Sequence, residues 1–309
     1  MKTISEVLKE KYGEKIYRLS LESGCTCPNR DGSKGTGGCS FCSLNGSGDF
    51  AVPLEHETNS LNDLLDRQIT KAKEIISRKT NAKRFIAYFQ SYSNTYGDPA
   101  YLENLYTAVA ERDDIVILSL GTRPDCINDE IIEMLIRVNR IKPVWVELGL
   151  QTMHEKSADM IGRGFSLYEF EQAYSRLKDA GIEVIIHVIM GFPWETRADM
   201  IETVKYVAGL EPKPDGIKMH MLQVLDGTRL GEEYKKNPFY VMSLNEYAEL
   251  IRHCLKIIGD DIVVHRMTGD GPKKILIAPK WSADKKNVLN TMHRIINDNQ
   301  EAEHARQNI

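Results

Sequence analysis

Between residues 15 and 265 the sequence switches repeatedly between two hydrophobic periods, and this alternation limits the fold more than any other feature. Lys15–Glu22 (KIYRLSLE) alternates apolar and polar residues as a strand does, and Asn59–Thr80 then places Leu61, Leu64, Leu65, Ile69, Ala72, Ile75 and Ile76 at helical spacing. Strand-like runs follow at Arg84–Gln90, Ile115–Leu120, Val144–Leu150, Glu183–Met190, Gly216–Leu222 and Ile262–His265. Helical runs separate them at Pro99–Arg112, Asp129–Val138, His154–Ile161, Leu167–Ala180, Ala198–Ala208 and Leu244–Ile258. Pro99 sits at a helix start, where its missing N–H costs little, and Gly181 sits where a helix stops. Six or seven β-α units with nearly continuous apolar strands require a parallel sheet covered by helices.

A doubly wound sheet and a barrel both satisfy that pattern. The strand exits favour the barrel, because almost every strand runs into a polar or glycine-rich cluster: CTCPNRDG, QSYSNTYGD, GTRPDC, GLQT, GFPWET and HMLQVLDGT. In a (β/α) barrel many strand ends face one shared site, whereas an open sheet concentrates its ligands at a single switch point. We expect residues 1–266 to form the barrel and residues 267–309 a C-terminal extension packed on it, with KILIAP and the helical Asn287–Asn297 in the extension. No apolar run approaches the roughly 18 residues of a membrane span, and the start, MKTISEVLKEKYGEK, lacks a signal peptide's apolar stretch, so the expected location is the cytoplasm. A net charge of −4 argues against a protein coated in nucleic acid, although residues 262–309 carry eight Lys/Arg against five Asp/Glu.

The first decorated exit holds most of the reactive chemistry. Gly24–Asn45 (GCTCPNRDGSKGTGGCSFCSLN) contains four of the six cysteines and five glycines. In a reducing compartment such a thiol loop signals metal or redox chemistry rather than disulfides, and a zinc site, an iron–sulfur cluster and a metal-free redox loop all fit it. Cys27, Cys39 and Cys42 read C-x11-C-x2-C, and Cys25 adds a fourth thiol; four ligands would close a zinc site, whereas three would leave a metal centre one open position. Cys126 and Cys254 stand apart and read as small buried hydrophobes. Further polar residues fall at other exits. Arg123 and Asp125 follow the third strand, Glu147 and Gln151 share one face of the fourth around Gly149, and Lys218 and His220 share one face of the sixth. Arg163 lies in a Gly-Arg-Gly turn suited to carrying a guanidinium back to a carboxylate. Trp145, Trp194 and Trp281 are candidates for closing the site.

The ordered string TCPNRDG, GGCSFC, YFQSYSNTY, GTRPDC, ELGLQT, HVIMGFP and GIKMH, covering Lys15 to Trp281, resembles the radical S-adenosylmethionine superfamily and, within it, the YhcC/YtqA-like family. That family is similar to the catalytic subunit of Elongator and to the oxygen-independent coproporphyrinogen oxidase group. The resemblance implies a partial (β/α)6 TIM-like barrel. It also implies a [4Fe–4S] cluster on Cys27, Cys39 and Cys42 whose fourth iron is chelated by S-adenosylmethionine, with reductive cleavage to a 5′-deoxyadenosyl radical that abstracts hydrogen from substrate. Cys25 departs from the family pattern and is expected to be a bystander. The long gap before Cys39 departs from the commoner C-x3-C-x2-C and matches the YhcC-like and Elongator-like groups.

Other roles follow from the same resemblance. Gln90 and Ser91 stand where the superfamily binds the amino group of the ligand methionine, and Arg123 and Glu147 join the cofactor set. Gln151 and Arg163 correspond to residues touching the ligand's sugar and carboxylate, His187 stands at a ribose-binding position, and Gly191 belongs to a segment backing the adenine. Tyr92 and His220 are the candidates for a catalytic role. The resemblance implies a tRNA wobble-uridine side chain as substrate, with a small molecule or peptide as the alternative, and a flavodoxin- or ferredoxin-type electron donor. A zinc-stabilised RNA-binding protein without catalysis and a redox or metal-storage scaffold are the competing classes.

Overall fold

The computed structural model describes residues 1–54, 60–269 and 271–307, with side chains up to residue 297. Its core is one seven-stranded parallel sheet in the order β1 (Tyr17–Leu21), β2 (Phe85–Phe89), β3 (Ile115–Thr122), β4 (Val144–Gln151), β5 (Glu183–Met190), β6 (Gly216–Met221) and β8 (Val263–Arg266). Sequential strands are sheet neighbours, so the sheet curls into a partial barrel with β1 and β8 as its edges. Helices α2 (Leu61–Ser77), α3 (Pro99–Ala110), α4 (Asp129–Ile141), α6 (Leu167–Asp179), α7 (Arg197–Gly209) and α9 (Leu244–Ile258) connect the strands. A short helix α5 (Glu155–Ile161) follows β4. The family pattern implies six strands; β8 is a seventh, paired to β6 and bridged by Thr3 through Val264.

Helix starts follow the local chemistry. Ser166, Thr196 and Ser243 each cap a helix, and Glu169, Asp199 and Glu246 three residues on return the bond to the cap backbone. The N-terminal helix α1 (Ile4–Tyr12) has the same box at Thr3 and Glu6, and ends on Gly13 in the left-handed conformation.

Strand alternation divides the barrel into an outer and an inner face. Outward residues such as Phe89, Leu120, Leu148, Ile186 and Met219 join the helices in the large core. The inward residues are layered. At the strand starts Ile86, Ile117, Trp145 and Ile185 pack with Leu8 of α1, which plugs the bottom of the barrel. One step further along the same inner face come Tyr88, Ser119, Glu147, His187 and Lys218, so the layer above the plug is polar.

Beyond β6 the chain forms β7 (Val224–Leu225) and helix α8 (Arg229–Lys236), neither of which the hydrophobic pattern announces because both are short. Strand β9 (Leu276–Ala278) pairs antiparallel with β7, and helix α10 (Lys285–Gln307) lays Val288, Met292 and Ile295 into the main core against α9. We propose that residues 267–309 belong to the barrel's cooperative unit. Met292→Ala is then expected to destabilise the whole protein by about 2–5 kcal/mol, and urea unfolding followed by fluorescence and by circular dichroism should still give one coincident transition.

Candidate active site

The C-terminal ends of the strands surround a cavity of about 260 Å³, bounded at one end by the cysteine loop and at the other by β6 and the segment after β8. Cys27, Cys39 and Cys42 line it. Cys25 does not: its sulfur would lie 3.5 Å from a Cβ placed on Gly97, and its side chain packs against the main core beside Tyr101. A small local difference in chain direction thus sends one thiol behind the loop and three into the cavity.

The PNRDG run holds the loop in this shape. Asn29, buried beneath the Gly162–Gly164 turn, donates from Nδ2 to the carbonyls of Gly162 (2.9 Å) and Arg163 (3.0 Å). Gly164 has φ +76, and a Cβ there would stand 2.6 Å from Asn29 Oδ1, so this turn needs glycine twice over. Arg30 reaches across the loop to the carbonyls of Cys42 (3.3 Å) and Ser43 and lies over the Tyr92 ring. Phe41, between the last two cysteines, packs on Phe192 beyond β5. Burial and the neighbouring thiols push Cys39 up to about 11 and burial raises Cys27, so a metal centre forming here must displace protons.

The second strand's exit clamps the far end of the loop. Gln90 Nε2 donates to the carbonyl of Ser47 (2.7 Å), and Tyr92 donates its hydroxyl to the carbonyl of Leu44 (2.8 Å). Gly46 and Gly48 make room for this clamp: a Cβ on either would collide with Tyr92 or Ser91 respectively. Among the described residues the non-glycine positions with positive φ are Ser47, Tyr92 and Gln151, and all three line the cavity. Backbone held in a sparsely populated region at one place is the mark of a functional site.

Glu147 is the centre of the inner polar layer. Fully buried on β4, it accepts from Ser119 Oγ (2.7 Å) and His187 Nε2 (2.9 Å), pairs with Lys218, and has Arg18 Nη2 at 3.8 Å. Tyr88 carries Lys218 over its ring at 4.5 Å and Arg18 at 5.5 Å. Burial alone would raise the Glu147 carboxyl, but Lys218, His187 and Arg18 hold it well below the usual range and ionised. Burial and Lys218 push His187 down to about 4, which leaves it neutral at pH 7. Arg18, Tyr88 and Ser119 were not singled out from the sequence. Tyr88 and Ser119 carried a signal, as polar-tipped residues on the inward register of otherwise apolar strands, whereas Arg18 is one of the polar positions of the alternating β1.

The residues expected from the sequence divide by position. Gln90, Tyr92, Arg123, Glu147, Gln151, His187 and His220 line the cavity with the three cysteines. Gln151 Oε1 and His220 Nε2 are buried there without a hydrogen-bond partner. Arg123 is already engaged, with both arms of its fork on Asp125 (2.9 and 2.7 Å) and Nη1 on the carbonyl of Arg163.

Ser91, Arg163 and Gly191 are not brought into the cavity. Ser91 turns back to Glu22 (3.1 Å). Arg163 is wholly buried as a bolt between β4 and the following helices, donating to the carbonyls of Leu150, Thr152 and Phe165 and to Glu155. Gly191 is seated against Met200 and Met242. The three tryptophans do not line it either: Trp145 belongs to the bottom plug, Trp194 stacks on Phe192, and Trp281 donates to the carbonyl of Met242.

A partial parallel barrel with three thiols at its mouth defines a class, and comparison with known proteins gives the same one. Residues 25–207 match the Radical SAM superfamily and residues 214–298 match the Radical SAM C-terminal domain. The chain therefore belongs to the radical S-adenosylmethionine superfamily, whose enzymes use a [4Fe–4S] cluster and S-adenosylmethionine. It is 39% identical to YtqA of Bacillus subtilis over 94% of this chain and 88% of that protein, and 31% identical to YhcC of Escherichia coli over 94% and 90%, which places it in the YtqA/YhcC family. A tRNA uridine(34) acetyltransferase of Methanocaldococcus jannaschii is 26% identical over 52% of this chain and 30% of its own length. Among solved structures, Elp3 of Methanocaldococcus infernus superimposes with a TM-score of 0.61 at 18% identity, covering 76% of this chain and 59% of that one, a likeness of fold. No helix among the described residues is long and apolar enough to cross a membrane.

Two outcomes follow from the inner layer. Glu147→Gln leaves Lys218 and Arg18 without their buried counter-charge and should cost about 3–5 kcal/mol in urea denaturation. His187 binds its proton near 6.5 when unfolded and near 4 when folded, so the unfolded state holds more protons between those values. Stability should therefore fall as pH drops from 6.5 towards 4, by at most about 1.4 kcal/mol per pH unit from this group, and His187→Gln should remove that part of the slope.

Proposed function

We propose that Cys27, Cys39 and Cys42 hold the [4Fe–4S] cluster, and that the enzyme acts on a tRNA wobble-uridine side chain. The observation that carries the cluster assignment is the separation of the thiols: three line the cavity and Cys25 packs behind the loop. Three protein ligands leave one iron open to a substrate-side chelator. A tetrahedral zinc ion at about 2.3 Å from each sulfur would draw its thiolates to about 3.8 Å of one another. The group of ligand atoms gathered within 4.8 Å among the described residues is instead His154, Asp199 and Glu202, so the cysteines are spread more widely than zinc requires.

When bound, the cluster and S-adenosylmethionine supply the 5′-deoxyadenosyl radical chemistry. The chain's own residues enclose and orient. Gln151, held in a left-handed conformation with its side chain folded over Gly149 and Oε1 unpartnered, is our candidate for contact with the sugar. Gln90 and Tyr92 fix the loop through Ser47 and Leu44, and Arg123 places positive charge beside Cys27 and Cys39. Glu147 serves the inner layer, since its oxygens are occupied by Lys218, His187 and Ser119.

The tRNA reading draws on the tRNA uridine(34) acetyltransferase that matches half of this chain and on the basic balance after residue 262. A flavodoxin- or ferredoxin-type protein in the cytoplasm is the electron source this reading requires. Anaerobic reconstitution with iron and sulfide should give a cluster in the wild type and in Cys25→Ala. Cys27→Ala, Cys39→Ala and Cys42→Ala should each lose the cluster's visible absorbance and at least a hundredfold in 5′-deoxyadenosine formation. A cluster retained in all three would overturn the ligand assignment, and unchanged wobble nucleosides in mass spectra of tRNA from a deletion strain would overturn the substrate.

A further inference from the structure

Ser47 occupies a conformation that glycine would hold at less cost. Its φ is +66, it lies between Gly46 and Gly48, and the clamp on this segment uses only its main chain, through the bond from Gln90 Nε2 to its carbonyl (2.7 Å). The clamp therefore does not call for a side chain at this position. The two neighbouring glycines are set by crowding, against Tyr92 and Ser91. What the Ser47 side chain touches is a proposed cluster ligand: its Oγ lies 3.7 Å from Cys42 Sγ at the lining of the cavity. A thiolate or metal-bound sulfur has no proton to give, so in that contact the hydroxyl is the donor.

The other two cavity sulfurs are served by one residue. Asn29 directs its backbone N–H at the Cys27 sulfur and its Nδ2 at Cys39 Sγ (3.6 Å), besides the two bonds that tie it to the Gly162–Gly164 turn. Each of the three sulfurs thus has a hydrogen-bond donor within the same stretch of chain. Such bonds help to set the reduction potential of an iron–sulfur centre, because the negative charge added on reduction spreads onto the sulfurs and a donor stabilises it there.

We propose that Ser47 is a positioning residue acting through Cys42: its strained backbone aims the hydroxyl at that sulfur, and the bond raises the reduction potential of the cluster. This inference rests on the reading of Cys27, Cys39 and Cys42 as the cluster ligands. The Asn29 side chain braces the loop as well as facing a sulfur, so removing it would mix the two effects. The Ser47 hydroxyl is separable, since the clamp holds its carbonyl alone. Ser47→Gly therefore has two consequences of opposite sign, relief of backbone strain and loss of the donor.

The test is a potentiometric titration of the full-length enzyme, reconstituted anaerobically with iron and sulfide, with the reduced cluster followed by electron paramagnetic resonance. Ser47→Gly and Ser47→Ala should each lower the midpoint, making the cluster about tenfold harder to reduce, which is about 59 mV for one electron. The melting temperature of the apoprotein should rise in Ser47→Gly, where the strain is relieved, and not in Ser47→Ala, where it remains. A lower potential in a more stable protein is not a consequence of loosened structure. The proposal is overturned if the midpoint is unchanged in both variants, or if it falls only in a variant whose melting temperature also falls. Cys42→Ala is reconstituted in parallel: a cluster lost there, with the midpoint unmoved in both Ser47 variants, removes this inference alone, whereas a cluster retained without Cys42 removes the ligand reading on which it depends.

Discussion

The buried Glu147 carboxylate is the interaction on which the interior of this barrel depends. A half-barrel that must keep a chamber open cannot fill its inner face with aliphatic side chains as a closed barrel does. Here the apolar plug of Leu8, Ile86, Ile117, Trp145 and Ile185 fills only the bottom layer. Above it the chain places a carboxylate, two cations, a histidine, a serine and a tyrosine, each on a different strand or register position. Removing Glu147 would leave Arg18 and Lys218 without their counter-charge and Ser119 and His187 without their acceptor, so the layer acts as a unit. It also fixes which side chains can rise into the chamber: His187 is turned by its bond to Glu147, and that leaves His220 as the unpartnered ring.

The mouth of the chamber is organised by a different device. The cysteine loop has little regular structure, and side chains donating to backbone carbonyls, from within the loop and from β2's exit, hold it in place. Asn29 reaches the Gly162–Gly164 turn, Arg30 staples the loop's second half, and Gln90 and Tyr92 clamp it from β2. Arg163 bolts the receiving turn to β4. Thus the conspicuous polar residues between and beside the cysteines work mainly as braces, and the thiols themselves are what the loop presents.

Much of the architecture was legible in the sequence because it is written in local periodicity. The β-α alternation, the decorated exits, and the pairing of Glu147 with Gln151 and of Lys218 with His220 on common faces are properties of neighbouring residues. The short β7 and α8 were not legible, since a few residues carry too little periodic signal and their formation depends on β9 and on packing above the barrel. Arg163 shows the same limit at the level of the site. A guanidinium in a Gly-Arg-Gly turn reads as a ligand arm, but nearby carbonyls from β4 capture it before it reaches the cavity. Ser91 sits at the expected strand exit but turns back to Glu22, and Gly191 is seated against Met200 and Met242.

What the sequence determined by itself was the set of parts: a parallel, helix-covered sheet, polar strand ends, and a thiol cluster at the first of them. Those follow from hydrophobic period and residue chemistry, which act over a few positions. Tertiary structure alone decided which parts face one another. It turned Cys25 into the core while leaving Cys27, Cys39 and Cys42 at the cavity, and it drew Arg18, Ser119, His187 and Lys218 from four strands onto one carboxylate. Side-chain direction at a strand end and pairing across a curled sheet depend on register and curvature, which contacts between residues far apart in the chain set.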